Sequence, residues 1–153
     1  LLSLLWVCLS LWAQAAGAAE LKLVFFSIGQ GDAALIVSPT GKRVLIDGGP
    51  PEGTPALLAG LARYVPDQID LIVLSHPHLD HLGGLKRVVD NPAVPVKMFL
   101  DGAFPSTSPP YQSLLTLLRT KGIPVKQALL GRKIDLGDAA VVLVGDLAAA
   151  MPR

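Results

Sequence analysis

Cysteine is nearly missing: Cys8 is the only one in 153 residues. Without a second thiol there is no internal disulfide, and the chain beyond Cys8 has no thiolate to offer a metal. Charge is sparse as well. Only 16% of residues are charged against 51% hydrophobic, and the net charge is +1. This balance excludes a disordered chain. It gives no general electrostatic case for nucleic acid or an anionic membrane surface, a local basic groove aside. Tryptophan is confined to Trp6 and Trp12, and histidine to three positions. Internal repeats, low-complexity tracts and interdomain linkers are absent. The length suits one domain with a real core.

The shortage of charge is complete over the first nineteen residues. Leu1 to Trp12 is rich in Leu, Trp and Val, and the small residues Ala13 to Ala19 follow, interrupted only by Gln14 and Gly17. An apolar stretch followed by an A-x-A region reads as a signal peptide cleaved after Ala15 or Ala18. A basic leading segment and an initiator Met are not there, so the chain is expected to begin inside the leader. The alternative is the end of a transmembrane segment. Trp6 and Val7 before Cys8 do not make a small-residue lipobox. Residues 1–19 are therefore set apart from a domain over 20–153, and the localisation expected is secreted or periplasmic, or membrane-anchored with an extracytoplasmic domain.

Beyond the leader the pattern is first β, then mixed. Leu21–Ile28, Ala33–Val37 and Lys42–Ile46 read as three strands of an antiparallel meander, joined by turns at Gly29-Gln30-Gly31-Asp32 and Ser38-Pro39-Thr40-Gly41. Thr54 is placed to cap a helix running from Pro55 to Val65, with Leu57, Leu58, Leu61 and Val65 at helical spacing. A buried strand Ile69–Leu74 follows, then a short helix Gly84–Val89, a strand Val96–Leu100 and a loop Asp101–Pro110. A helix opening at Ser108-Pro109 runs to Lys121 with Gly122 as its stop. Strands Val125–Leu130 and Ala139–Val144 flank the turn Asp135–Asp138. The reading is one α/β unit, a mixed sheet with helices outside it.

All three histidines fall in the run Ser75-His76-Pro77-His78-Leu79-Asp80-His81-Leu82-Gly83-Gly84. Imidazole and carboxylate suit a borderline divalent metal such as zinc. The run leaves the end of the strand Ile69–Leu74, where active sites of α/β folds sit. His76 and His78 are two apart, so on an extended backbone both rings face one side. Four ligands from so short a segment do not wrap one ion. Two adjacent sites are easier, His76 with His78 and Asp80 with His81. Two ions about 3.5–4 Å apart would share a water and bring its pKa toward neutrality. Asp80 would bind one ion and orient or deprotonate that water.

The run His76-x-His78-x-Asp80-His81 resembles the signature of the metallo-β-lactamase-fold hydrolases. Gly29-Gln30-Gly31-Asp32-Ala33-x-Leu35-Ile36, Pro39-x-Gly41 and Leu45-Ile46-Asp47-Gly48-Gly49 resemble the hydrolase domain of the competence protein ComEC and its free-standing relatives. The likeness is good over Leu21 to about Val89 and weak beyond. It implies an αββα sandwich, of which this chain would hold the N-terminal half or more. It implies two zinc ions, with manganese or another divalent metal as alternatives. It also implies a bracing role for Asp47 behind the ligands, the alternative being an ordinary turn residue before Gly48-Gly49. Asp32 is read as a turn residue, with a place near the site as the alternative.

Three features depart from that family. Ser27 stands where Asp is frequent, His78 stands where ComEC-type domains often have Asp, and no histidine follows His81. Asp146, after Val144-Gly145, is read as a strand-end turn and only as a weak candidate for a later bridging ligand, so the domain is expected to be C-terminally incomplete. The function expected is a metal-dependent hydrolase using metal-bound hydroxide, with phosphodiester or DNA implied by the resemblance and a small-molecule substrate as the alternative. A catalytically impaired metal-binding or DNA-uptake-associated domain is one rival, and a β-lactam or other ester or amide hydrolase is another. No specific protein partner follows from the sequence. The chain alone is expected to be inactive, to bind metal weakly and to expose apolar surface.

Overall fold

The computed structural model describes residues 20–102, 105–129, 131–137 and 140–142. The candidate leader 1–19 and Asp146 lie outside the described residues. The meander is present as β1 (Lys22–Phe25), β2 (Ala34–Val37) and β3 (Arg43–Ile46). Each strand is antiparallel to the next, with Leu23 opposite Ile36 and Leu35 opposite Leu45. The chain then crosses over through α1 (Thr54–Tyr64) to β4 (Leu71–Leu74), which lies parallel to β3. Two short helices, α2 (Leu79–Leu82) and α3 (Leu85–Asp90), lead to β5 (Phe99–Asp101). Helix α4 (Pro109–Thr120) leads to β6 (Val125–Gln127). The six strands form one sheet in chain order, parallel from β3 to β6. Connections carrying a helix are what parallel neighbours require.

The alternating faces of the sheet explain its two cores. Leu45, Ile72, Leu74 and Phe99 point to one side and meet Leu57 and Leu61 of α1, Leu85, Val88 and Val89 of α3, and Leu114 and Leu118 of α4. The helix residues recur at three and four positions, the spacing of one helical face. Val44, Leu71, Val73 and Leu100 point to the other side. There Leu136 and Ile134 pack on them, carried by a hairpin of β7 (Lys133–Asp135) and β8 (Ala140–Val142). Strand β4 is buried on both faces, hence its unbroken apolar sequence Leu-Ile-Val-Leu. The hairpin does not cover β1. Leu23 is 58% and Phe25 80% exposed, the apolar surface anticipated from the sequence.

Several elements differ from the sequence reading. The first strand stops at Phe25 instead of Ile28, and Ile69 forms only an isolated bridge with Val96 ahead of β4. Thr54 does not cap α1. A 3-10 turn over Pro51–Gly53 runs into the helix, Gly53 is already helical at φ −77 and ψ −11, and Thr54 is the first helical residue. Asp80 and His81 lie on the four-residue helix α2, an element the sequence reading did not name. The expected strand Val125–Leu130 ends at Gln127 and belongs to the main sheet. The partner of the last strand is Lys133–Asp135, where a single apolar residue gives no period to detect.

Candidate metal centre

The parallel pairing of β3 with β4 sets two strand ends side by side. The chain leaves β3 at Asp47 and leaves β4 at Ser75, and the Asp47 N–H donates to the Val73 carbonyl at 2.8 Å. Asp47 is held at φ 57, the left-handed region. That conformation costs a non-glycine residue about 1–2 kcal/mol, though Asp tolerates it better than most. It also turns the carboxylate, only 3% exposed for the whole residue, toward the end of β4.

Three donors meet that carboxylate. The Ser75 N–H donates to Oδ1 at 2.8 Å, the Ser75 hydroxyl to Oδ2 at 2.6 Å, and His81 Nδ1 lies 2.9 Å from Oδ2. A carboxylate only accepts, so the proton of that imidazole belongs on Nδ1 and its lone pair on Nε2. Ser75 spends its one hydroxyl proton on Asp47 and sits 3.0 Å from His76 Nδ1. It is therefore an acceptor there, which places the His76 proton on Nδ1 and its lone pair on Nε2. A single buried acid thus sets the tautomer of two rings, the arrangement that metal-bound histidines require behind them.

The rings are gathered. The His76 centroid lies 3.9 Å from that of His81 and 4.6 Å from that of His78. Burial, then the neighbouring His81 and His78, hold the His76 imidazole below its ordinary pKa. Neutral imidazole is the form that binds a metal. His81 Nε2 lies 3.9 Å from Oδ2 of Asp80 and 3.9 Å from Oδ2 of Asp32. Asp32 is thus beside the cluster and not only a turn residue, although its side chain is 80% exposed. His76 contacts both other rings.

Glycine permits this closeness. Gly31 has φ +121, and a Cβ there would lie 2.1 Å from the Asp80 carbonyl oxygen. Gly48 donates its N–H to the His81 carbonyl at 2.6 Å, and a Cβ would meet the Leu85 side chain at 2.6 Å. The motifs around Gly31 and Gly48 are therefore the floor against which α2 is laid.

Three imidazoles and nearby carboxylates suit zinc or a similar ion in chemical kind. Among the described residues, however, no group of three or more His, Cys, Asp or Glu side chains is arranged to hold an ion. The donors are assembled and their tautomers set, but they do not converge. Sequence reasoning named His76, His78, Asp80, His81 and Asp47 as candidates and did not name Ser75, which the structure joins to Asp47. A serine beside a histidine carries no signal of its own; only the strand pairing reveals its link to Asp47.

Solved structures share this architecture. The subclass B3 metallo-beta-lactamase MEM-A1, from a soil metagenome library, matches with a TM-score of 0.53 and 25% identity over 78% of this chain and 47% of its own. A Cronobacter sakazakii metallo-beta-lactamase with a HARLDQ motif matches with a TM-score of 0.54 at 17% identity, over 80% and 50%. The rubredoxin oxygen:oxidoreductase of Desulfovibrio gigas matches with a TM-score of 0.52 at 25% identity, over 75% and 27%. This chain thus spans about half of each lactamase structure. An octanoyltransferase of Porphyromonas gingivalis is 45% identical over 51 residues, 33% of this chain and 9% of that protein. The family model of the metallo-beta-lactamase superfamily matches residues 27–152, from the end of the first strand through the histidine loop and both core faces, and the chain belongs to that superfamily.

Proposed function

We propose that this chain carries the ion-gripping part of a hydrolase in which water attacks an ester-type bond, with phosphodiester as the first substrate class to test. The observation that carries the reading is the bracing of His81 and His76 through Asp47 and Ser75. A buried acid held in the left-handed region and bonded to Ser75 and His81 fixes imidazole tautomers, which is the support that metal ligands need. His76, His78, Asp80 and His81 would hold zinc or a related divalent ion, two ions in the full reading. Such an ion, when bound, makes a water acidic and polarises the substrate's oxygen. The chain's own residues do the rest: Asp47 and Ser75 hold the rings, and Asp80 and Asp32 flank His81 Nε2 and are placed to take a proton. Phosphodiester or DNA as substrate rests on the ComEC-like Gly29–Asp32 and Leu45–Gly49 segments. An extracytoplasmic setting rests on the uncharged apolar stretch Leu1–Ala19. Fold alone does not fix the reaction.

The test is turnover by the longest product of the gene against bis-p-nitrophenyl phosphate, nitrocefin and p-nitrophenyl esters, with zinc or manganese added and with a chelator. Chelator-sensitive turnover of the phosphodiester supports the proposal, and no chelator-sensitive turnover on any of them overturns it. A second reading, a metal-binding domain impaired in catalysis, is favoured by the lack of a converged donor group among the described residues. It predicts weak or no metal uptake and no turnover.

A further inference from the structure

Beside the histidine cluster, and sharing His78 with it, lies a cavity of about 260 Å³ lined by Pro77, His78, Leu79, Leu82, Ser108 and Pro110. Its walls come from two elements, the histidine loop with α2 and the start of α4. Five of its six lining residues offer it no charge, and the sixth, His78, is shared with the cluster. Leu79 is 50% exposed, a large apolar side chain left at the rim of a polar site.

The polar groups on its wall are few: His78 and the Ser108 hydroxyl, which accepts from Ser106. Ser108 takes its hydroxyl contact from Ser106 Oγ at 3.1 Å, and its N–H donates to the same oxygen at 3.2 Å. Helix α4 opens with Pro109 and Pro110, so its first two positions have no N–H to present to an anion. The usual reason for a helix start to face a site, an oxyanion or phosphate, is therefore removed here. What remains is an apolar recess whose one titratable wall is His78, itself 4.6 Å in ring separation from His76. A dry apolar cavity of about 150 Å³ is enough for one benzene ring, so this open recess has room for an aryl ring or a short alkyl chain.

We propose that this recess receives an apolar substituent, an alkyl chain of a few carbons or one aryl ring, next to the scissile bond of the substrate. The inference rests on the hydrolase reading above and adds to it the class of group that the substrate carries beside the bond. Leu79 and Pro110 are then specificity-determining residues. They touch the substituent and not the reacting atoms.

Two measurements separate this inference from the reading beneath it. In the metal-free protein, methyl NMR is followed while benzyl alcohol is added. Saturable shifts of the Leu79 and Leu82 methyls are expected, and both Leu79→Ser and Pro110→Ser should weaken them at least fivefold. Shifts that do not saturate, or that are confined to the Leu23 methyls on β1, overturn the proposal. In the metal-loaded protein, p-nitrophenyl esters from acetate to hexanoate should gain about fourfold in kcat/KM per methylene, the value of about 0.8 kcal/mol per buried methylene, until the recess fills. Leu79→Ser should flatten that series, read as a fall in the hexanoate-to-acetate ratio of kcat/KM within the variant. Turnover without length dependence and without methyl shifts removes the recess and leaves the hydrolase standing. Methyl shifts with no turnover on any of these carboxylate esters keep the recess as an apolar-ligand site and remove its role as a substrate subsite; the hydrolase reading falls only if bis-p-nitrophenyl phosphate and nitrocefin are untouched as well.

Discussion

Replacing Asp47 by Asn changes charge and hydrogen-bond polarity while leaving shape almost untouched. Asn tolerates the left-handed backbone as well as Asp does, so φ 57 adds no new conformational cost. The carboxylate accepts from the Ser75 N–H, the Ser75 hydroxyl and His81 Nδ1. An amide has one oxygen for these three donors. With that oxygen kept on the Ser75 N–H, its NH2 faces Ser75 Oγ and His81 Nδ1, and both must become acceptors. His81 then moves its proton to Nε2, the nitrogen flanked by Asp80 and Asp32 at 3.9 Å. A protonated Nε2 cannot bind a metal there.

The magnitudes follow from those bonds. Hydrogen bonds to a charged group contribute about 1.5–3 kcal/mol each and neutral ones about 0.5–1.5. Asp47→Asn should therefore cost about 1–3 kcal/mol of stability, a melting shift of about 2–4 °C per kcal/mol at this chain length. Loss of the brace should weaken zinc binding about 10–100-fold, or about 1.4–2.7 kcal/mol. Long-range 15N NMR of the metal-free protein reads the His81 tautomer directly, and competition with a chelating dye reads the affinity. The reasoning is refuted if His81 of the parent protein carries its proton on Nε2, or if Asp47→Asn binds zinc as the parent does.

Ser75→Ala removes the hydroxyl that joins Asp47 to His76 and should lower stability by about 1–2 kcal/mol together with zinc affinity; Ser75→Thr, which keeps the hydroxyl, should restore both in calorimetry and dye competition. Gly31→Ala places a Cβ against the Asp80 carbonyl at φ +121 and should cost about 2–4 kcal/mol, read by urea unfolding. The Tyr111 phenol, buried and hydrogen-bonded to Asp101, is pushed up to about 12. The folded chain therefore keeps this proton where the unfolded chain loses it, so stability is full below pH 10 and falls as pH rises from 10 to 12; phenolate absorbance should rise near 12 and not near 10. His76 is held below 6.5 by burial and by its histidine neighbours. The folded state binds that proton less readily than the unfolded one, so stability is full above pH 6.5 and declines as pH drops below it, and His76→Gln should flatten this decline in a melting series.

The fold was legible where period and turn chemistry agree. Three short apolar runs separated by Gly- and Pro-containing turns gave the meander of β1, β2 and β3, and the Leu57 to Leu61 and Leu114 to Leu118 spacings gave α1 and α4. The elements that escaped are those too short to carry a period. Helix α2 has four residues, and β7 has three with one apolar side chain. The β7–β8 hairpin forms because Ile134 and Leu136 find Val44, Leu71, Val73 and Leu100 on the open face of the sheet. That is a tertiary cause, invisible in the three residues themselves.

The site divides along the same line. His76, His78, Asp80 and His81 are adjacent in sequence, so their chemistry is written in one place. Asp47 and Ser75 are 28 positions apart and become partners only because β3 and β4 lie in parallel register, with Ile46 beside Val73. The energies explain why this partnership holds. The left-handed backbone of Asp47 costs about 1–2 kcal/mol, whereas each of its three bonds from Ser75 and His81 contributes about 1.5–3. The strain is outweighed severalfold, so the carboxylate stays aimed at the rings without help from a ligand. The brace belongs to the sheet itself, and the histidines inherit its rigidity from two adjacent strand ends.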